Sequence, residues 1–170
     1  ERRGHAFVRY ADDLRVFVNS KKAGQRVMSS LVVLFGRLRL RVNEAKSAVD
    51  RAWNRPFLGF AFWVASGRQV VTAVAREALA TMKQRVREHT TRSRGRSLKS
   101  VAEELGRYLR GWKAYFRIAA TPKIFRTLYE WIRHRLRAYQ LKAWKRGTTV
   151  FRELVARGMP RRTAARVAGN

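Results

Sequence analysis

Two adjacent acids, Asp12 and Asp13, stand in the middle of an apolar run, FVRYADDLRVFV from Phe7 to Val18. Leu14, Val16 and Val18 alternate as a strand with one covered face does, and Phe7, Val8 and Tyr10 lead in from the other side. Strands disfavour Asp, and a buried carboxylate is costly without a positive partner. The pattern therefore predicts two short strands over residues 6–19 around a turn at Ala11-Asp12-Asp13. Asp suits turns in general, yet a two-residue hairpin turn is better served by Asn-Gly or Asp-Gly. A doubled carboxylate repels itself, and a divalent cation resolves that conflict. Mg²⁺ takes hard oxygen ligands, often one or two carboxylates completed by substrate phosphates. Two such ions can stabilise both the attacking and the leaving oxygen of a phosphoryl transfer.

The rest of the chain sorts by period. Residues 22–40 read as a helix with Val27, Leu31, Leu34, Phe35 and Leu38 at helical spacing, and residues 42–52 as a turn followed by a short strand. Phe57 to Val64 is aromatic and β-prone, Ser66-Gly67 is a turn signal, and Gln69 to Thr72 is a short return strand. Beyond about residue 73 the chain becomes helical. A basic helix over residues 74–90 leads into a polar, Gly-containing linker from Thr90 to Ser97, and Ser97 is placed to cap the next helix. That helix carries Val101, Leu105, Tyr108, Leu109, Trp112 and Phe116. Thr121-Pro122 restarts the chain as N-cap and first helical residue, ahead of a stripe of Phe125, Leu128, Trp131, Ile132, Leu136 and Tyr139 that Gly147 should end. Residues 149–168 read as a helical hairpin broken at Gly158-Met159-Pro160. The expected fold is α+β: a small antiparallel β part with one helix over 1–72, an all-α three-helix bundle over 73–147, and a short helical tail over 148–170.

Charge narrows the partners. The 170 residues hold 39 Lys+Arg against 11 Asp+Glu, a net charge of +28. The excess is uneven: residues 1–50 carry 11 basic and 5 acidic side chains, net +6, whereas residues 51–170 carry 28 and 6, net +22. A field of that sign and size attracts polyanions, nucleic acid first among them. A solvated basic surface, as an Arg-favouring genome would give, is the plainer alternative. No apolar run reaches the 18 residues of a membrane span, so no span is expected, and no segment has the one-sided amphipathic pattern for lying on an acidic membrane surface, which is the weaker competitor to nucleic acid. With no cysteine, disulfides and thiolate metal sites are excluded, which fits a cytoplasmic protein. His5, His89 and His134 show no metal-ligand spacing.

Tyr10-Ala11-Asp12-Asp13 resembles the YADD signature of reverse transcriptases, above all those of the retron and group II intron branch. The later motifs keep the order of that family. Leu40 to Ser47 resembles the lysine-bearing turn, and Phe57-Leu58-Gly59-Phe60 the hairpin that holds the primer end. Leu109 to Phe116, with Ile132 to Lys145, resembles the maturase-type thumb of group II intron proteins. The resemblance implies a late palm, a thumb and the start of a helical DNA-binding tail. It implies catalytic roles for Asp12 and Asp13 as ligands of Mg²⁺ (or Mn²⁺), and for Lys46 as a general acid toward pyrophosphate, where a plain structural lysine is the alternative. It implies that Tyr10, Phe57, Leu58 and Gly59 meet the primer; for Gly59 a strand bulge is the alternative. Arg107, Arg110, Lys113, Arg117, Arg133 and Arg137 are the candidates for phosphate contacts, while the helical spacing of Trp112, Tyr115, Phe116 and Trp131 assigns them to the thumb core. The implied partners are intron RNA, an RNA template and a DNA primer, in a bacterial-type cytoplasm.

The family's palm also uses a carboxylate well upstream of the hairpin, but only nine residues precede Tyr10 and their sole acid is Glu1. The expectation is a carboxy-terminal piece without fingers and without the first catalytic carboxylate. Besides an RNA-directed DNA polymerase and maturase, two readings stay open: an RNA-binding splicing module that does not polymerise, and an inactive gene remnant.

Overall fold

The computed structural model describes residues 4–91 and 95–169. Arg92, Ser93 and Arg94 of the expected linker lie outside the described residues. The fold is α+β, with two antiparallel sheets of two strands each and six helices among the described residues. The chain divides into two compact units, Glu1–Val70 and Val71–Asn170.

In the first unit, β1 (Phe7–Tyr10) and β2 (Asp13–Val16) form the hairpin that the alternation predicts. Phe7 pairs with Val16, Val8 with Arg15, Arg9 with Leu14 and Tyr10 with Asp13. Because successive side chains alternate across a strand, Phe7, Arg9, Leu14 and Val16 share one face, which is mainly apolar, and Val8, Tyr10, Asp13 and Arg15 share the other. The apolar face lines a groove with Val27, Leu31 and Leu34 of helix α1 (Lys21–Arg37). Ser20 caps α1 by accepting a hydrogen bond from the Ala23 N–H. The apolar stripe expected on α1 is only half covered: Val27, Leu31 and Phe35 are partly buried, Leu34 and Leu38 are exposed, and the buried residue is Gly24. A Cβ at Gly24 would lie 2.5 Å from Val49 Cγ1 and 3.4 Å from Val18 Cγ2, so the absence of a side chain lets the two segments close on the helix.

The strand expected within 42–52 does not form. Residues 44–46 are a turn, held by Asn43, whose backbone and side-chain oxygens both accept from the Lys46 N–H at 3.1 and 3.2 Å. A turn held by its own side-chain and backbone hydrogen bonds competes with strand pairing at that point. The aromatic segment also starts later than its composition suggests. Phe57 and Phe60 exchange backbone hydrogen bonds of 2.8 and 2.9 Å, and strand β3 runs Phe60–Val64. Strand β4 (Val70–Val74) follows a short 3₁₀ turn in which Gly67 takes φ 81°.

The second unit is helical. α2 (Arg76–His89), α3 (Leu98–Tyr115) and α4 (Pro122–Ala143) bury Met82, Val86, Leu105, Leu128 and Ile132 against one another, with Leu109, Trp112 and Trp131 packed around them. Each such side chain contributes about 1.5–3 kcal/mol by leaving water. Ser97 caps α3 as expected, accepting from the Ser100 N–H. The Thr72 hydroxyl donates to the Ile118 carbonyl at 3.1 Å and the Ala120 N–H donates to the Thr72 carbonyl at 2.8 Å, which ties β4 to the α3–α4 junction. The ends of the α2–α3 connection are fixed too. The buried Thr90 hydroxyl donates to the Val86 carbonyl and accepts from Arg135 Nε at 2.8 Å, and the Tyr139 hydroxyl donates to the Arg96 carbonyl at 2.6 Å.

Gly147 does not end α4. Lys145 takes the left-handed φ of 56° just past the helix, and Gly147 opens α5 (Gly147–Ala156). A Cβ at Gly147 would meet the Ala168 carbonyl oxygen at 2.6 Å, so this glycine serves the close approach of α5 to α6 (Arg161–Ala168). The hairpin of α5 and α6 breaks around Gly158, as expected, with φ 84°.

Candidate acidic hairpin and nucleic-acid interface

Ala11 and Asp12 are the two turn residues of the β1–β2 hairpin, and Asp13 opens β2 opposite Tyr10. Ala11 takes φ 50°, a left-handed backbone that costs an L-residue about 1–2 kcal/mol. Both carboxylates are exposed, so neither meets the desolvation cost that a strand interior would impose. Among the described residues neither forms an ion pair. Tyr10 is 62% exposed beside them. The residues predicted around the primer sit in the same unit. Leu58 (φ 51°) and Gly59 (φ 77°) are the two central residues of a tight turn closed by Phe57 and Phe60. Two positive φ values between a bridged pair are the geometry of a type I′ turn, which corrects the expectation of strand over Phe57–Gly59 and disfavours the alternative of a bulge at Gly59.

Arg15, which carries no motif in the sequence, joins the two turns. Its Nη2 donates to the Pro56 carbonyl at 2.6 Å, and its guanidinium carbon lies 5.3 Å from the Phe57 ring centroid. A guanidinium stacked on an aromatic ring contributes about 0.5–1 kcal/mol when partly exposed. Lys46 is exposed on the Asn43 turn, and no described hydrogen bond or ion pair links it to Asp12 or Asp13.

A fit to a divalent cation rests on the chemistry of the donors. Two adjacent exposed carboxylates offer hard oxygens to an ion that commonly takes one or two carboxylates plus phosphate oxygens and water. No cluster of three or more acidic or imidazole side chains suited to a metal occurs among the described residues. Asp12 and Asp13 therefore suit an ion whose remaining positions are filled by substrate and solvent.

In the second unit all six phosphate candidates, Arg107, Arg110, Lys113, Arg117, Arg133 and Arg137, are at least partly exposed. Their helices bury the apolar stripe, so the intervening positions turn outward. Trp112 and Trp131 are half-buried and Phe116 is buried at 5% exposure, in line with a role in the core. Tyr115 differs: it lies in the last turn of α3 and is 52% exposed. Tyr129 is exposed as well, with the Arg133 guanidinium 5.4 Å from its ring centroid. Trp131 carries two guanidinium groups, those of Arg87 and Arg135, at 5.7 and 5.6 Å. Glu104 binds Arg96 and, at 3.3 Å, His89 Nδ1, which gives His89 a packing role. The Arg96 guanidinium, with His89 second, holds the Glu104 carboxyl below the usual glutamate range. No described helix is long and apolar enough to cross a membrane.

A strongly basic helical bundle carrying exposed arginines is the electrostatic footprint of a nucleic-acid-binding surface. Residues 79–158 match the family model described as the group II intron, maturase-specific domain. That match supports a group II intron maturase-specific domain within the helical unit, and such a domain implies binding of intron RNA. Comparison with curated proteins found no match.

Proposed function

We propose that this chain couples intron-RNA binding by its helical unit to RNA-templated DNA synthesis at the Asp12-Asp13 hairpin. The observation that supports the synthetic half is the exposure of both carboxylates at a tight, strained turn, beside an exposed Tyr10. Asp12 and Asp13 would hold Mg²⁺ (or Mn²⁺), which supplies charge stabilisation to the attacking and leaving oxygens. Tyr10 and the Phe57-Leu58-Gly59 turn bound the space for a primer terminus, where the missing Gly59 side chain permits close backbone approach. Lys46, exposed on a turn braced by Asn43, is free to move toward a leaving pyrophosphate. Arg107, Arg110, Lys113, Arg117, Arg133 and Arg137 bind phosphates of template, primer or intron RNA. The location that goes with this reading is a bacterial-type cytoplasm.

A second reading is favoured by one observation, that the family match lies in the helical unit, at residues 79–158. In it the helical unit binds intron RNA and assists splicing without polymerisation. Nucleotide incorporation on an RNA template separates the two, with the upstream fingers and first palm carboxylate supplied by fusion or in trans. Under the first reading Asp12→Ala abolishes incorporation and leaves RNA affinity nearly unchanged, since phosphate contacts are retained. RNA binding with neither incorporation nor metal dependence establishes the second.

A further inference from the structure

We infer that Arg15 is a positioning residue that fixes the Leu58-Gly59 turn relative to the carboxylates of Asp12 and Asp13. The inference rests on reading those aspartates as metal ligands. Arg15 shares a strand face with Asp13, two residues away, yet its guanidinium is committed elsewhere: Nη2 donates to the Pro56 carbonyl at 2.6 Å and the plane covers the Phe57 ring at 5.3 Å. Pro56 and Phe57 are the base of the turn, since Phe57 is bridged to Phe60 and encloses Leu58 and Gly59. One side chain thus grips the base of one turn while its own backbone is set by the register of the other. A planar guanidinium can donate in its plane and stack on its face at once, which an ammonium cannot. A primer terminus held at Gly59 and a metal held at Asp12 and Asp13 must keep a constant separation for in-line attack, where small misplacements are costly. Arg15 is a described contact that bears on that separation.

The test uses Mn²⁺ alone as probe, on the full ¹⁵N-labelled chain. Gly59 is three residues from Pro56 and Arg15 two from Asp13, so the turn lies within reach of Mn²⁺ paramagnetic relaxation. In the wild-type chain Mn²⁺ should broaden the Asp12 and Asp13 amides and relax the Gly59 amide. In Arg15→Ala the first effect should persist at the same Mn²⁺ concentration. The Gly59 relaxation should change about threefold or more, upward or downward, because an inverse-sixth-power distance dependence amplifies any change in the separation that a released loop samples. Arg15→Lys, which keeps a donor for Pro56 but loses the stack, should be intermediate. Phe57→Leu should also be intermediate and leaves β2 untouched, so it serves if Arg15→Ala does not fold. Unchanged Gly59 relaxation in these variants, with Asp12 and Asp13 still broadened, overturns the role of Arg15 alone. No broadening at Asp12 and Asp13 in the wild-type chain overturns the metal reading, and the positioning role with it.

Discussion

Gly24→Ala sets two physical effects against each other. Helix propensity favours Ala over Gly by about 1 kcal/mol at an interior helical position, so the sequence alone predicts stabilisation. The packing predicts the reverse. The new Cβ would sit 2.5 Å from Val49 Cγ1 and 3.4 Å from Val18 Cγ2, against an optimal carbon–carbon separation of about 3.5–4.0 Å. Val49 must retreat by about 1 Å, and a β-branched side chain has few rotamers through which to do so. The segment carrying Val49 must move instead, and overpacking of this kind costs about 1–3 kcal/mol. After the propensity gain the net loss is about 1 kcal/mol, at most about 2. Urea unfolding of the full chain, with hydrogen exchange of the α1 amides as a local reporter, measures it. Val49→Ala removes the opposing methyls, so the double variant should recover most of the loss, with a favourable coupling of about 1–2 kcal/mol. A Gly24→Ala chain more stable than wild type, or a double variant whose losses simply add, would refute the packing argument.

Leu105, 1% exposed at the centre of the helical bundle, should lose about 2–5 kcal/mol on truncation to Ala; a chemical denaturation midpoint unmoved by Leu105→Ala would show that the bundle core lies elsewhere. The Glu104 carboxyl is held below its ordinary range by Arg96 and then His89. Its folded state is the more acidic one, so its contribution is present above the unfolded pKa and is lost as pH falls through the folded value. Glu104→Gln should flatten the acid limb of the stability curve while leaving the parts due to Asp50 and Glu153, whose carboxyls are also lowered, by Asn54 and Arg157 respectively; an unaltered limb contradicts the assignment. Ala11→Gly should leave stability the same or raise it by up to about 1 kcal/mol, because the left-handed penalty disappears while glycine adds unfolded-state entropy, whereas Ala11→Val should lower it; equal stabilities in thermal unfolding would show that the turn is unstrained. If about 6 phosphates are neutralised on binding duplex, log K should fall against log salt with a slope of about −5, and a flat titration would rule out electrostatic capture.

Local signals carried most of the fold. Ser97 is legible because a cap depends on its own hydroxyl and an N–H three residues on, and the stripes through Leu105 and Ile132 are legible because burial repeats with the helix turn. Signals that serve two purposes misled. Gly147 carries the mark of a helix end, yet the glycine answers a backbone 21 residues away at Ala168, while Lys145 takes the left-handed position. Phe57-Leu58-Gly59-Phe60 has strand composition, but Leu58 adopts φ 51° because pairing of Phe57 with Phe60 holds it there. Tyr115 fits the stripe of α3 by spacing, but it lies in the helix's last turn and remains half-exposed. At the acidic hairpin the sequence marked Asp12 and Asp13 and missed Arg15, since its partner is 41 residues off and a backbone carbonyl has no sequence signature.

The hairpin shows how one short segment meets opposed demands. Its alternation is genuine, and the register assigns Phe7, Leu14 and Val16 to one face, with Arg9, and Tyr10, Asp13 and Arg15 to the other, with Val8. Asp12 then falls in the turn and Asp13 at the first position of β2, and both stay hydrated. In water two neighbouring carboxylates repel by only about 1 kcal/mol at 4 Å, a cost that the apolar contacts of the other face can offset. The same carboxylates in a strand interior would each need a cation to be tolerated. An acidic pair is thus compatible with this hairpin before any ion binds, and an ion becomes a question of function rather than of folding. Asp12→Asn combined with Asp13→Asn should therefore leave the hairpin folded while removing any affinity it has for Mn²⁺. Amide shifts of β1 and β2 that collapse toward random-coil values in that double variant would show instead that the acids hold the turn together.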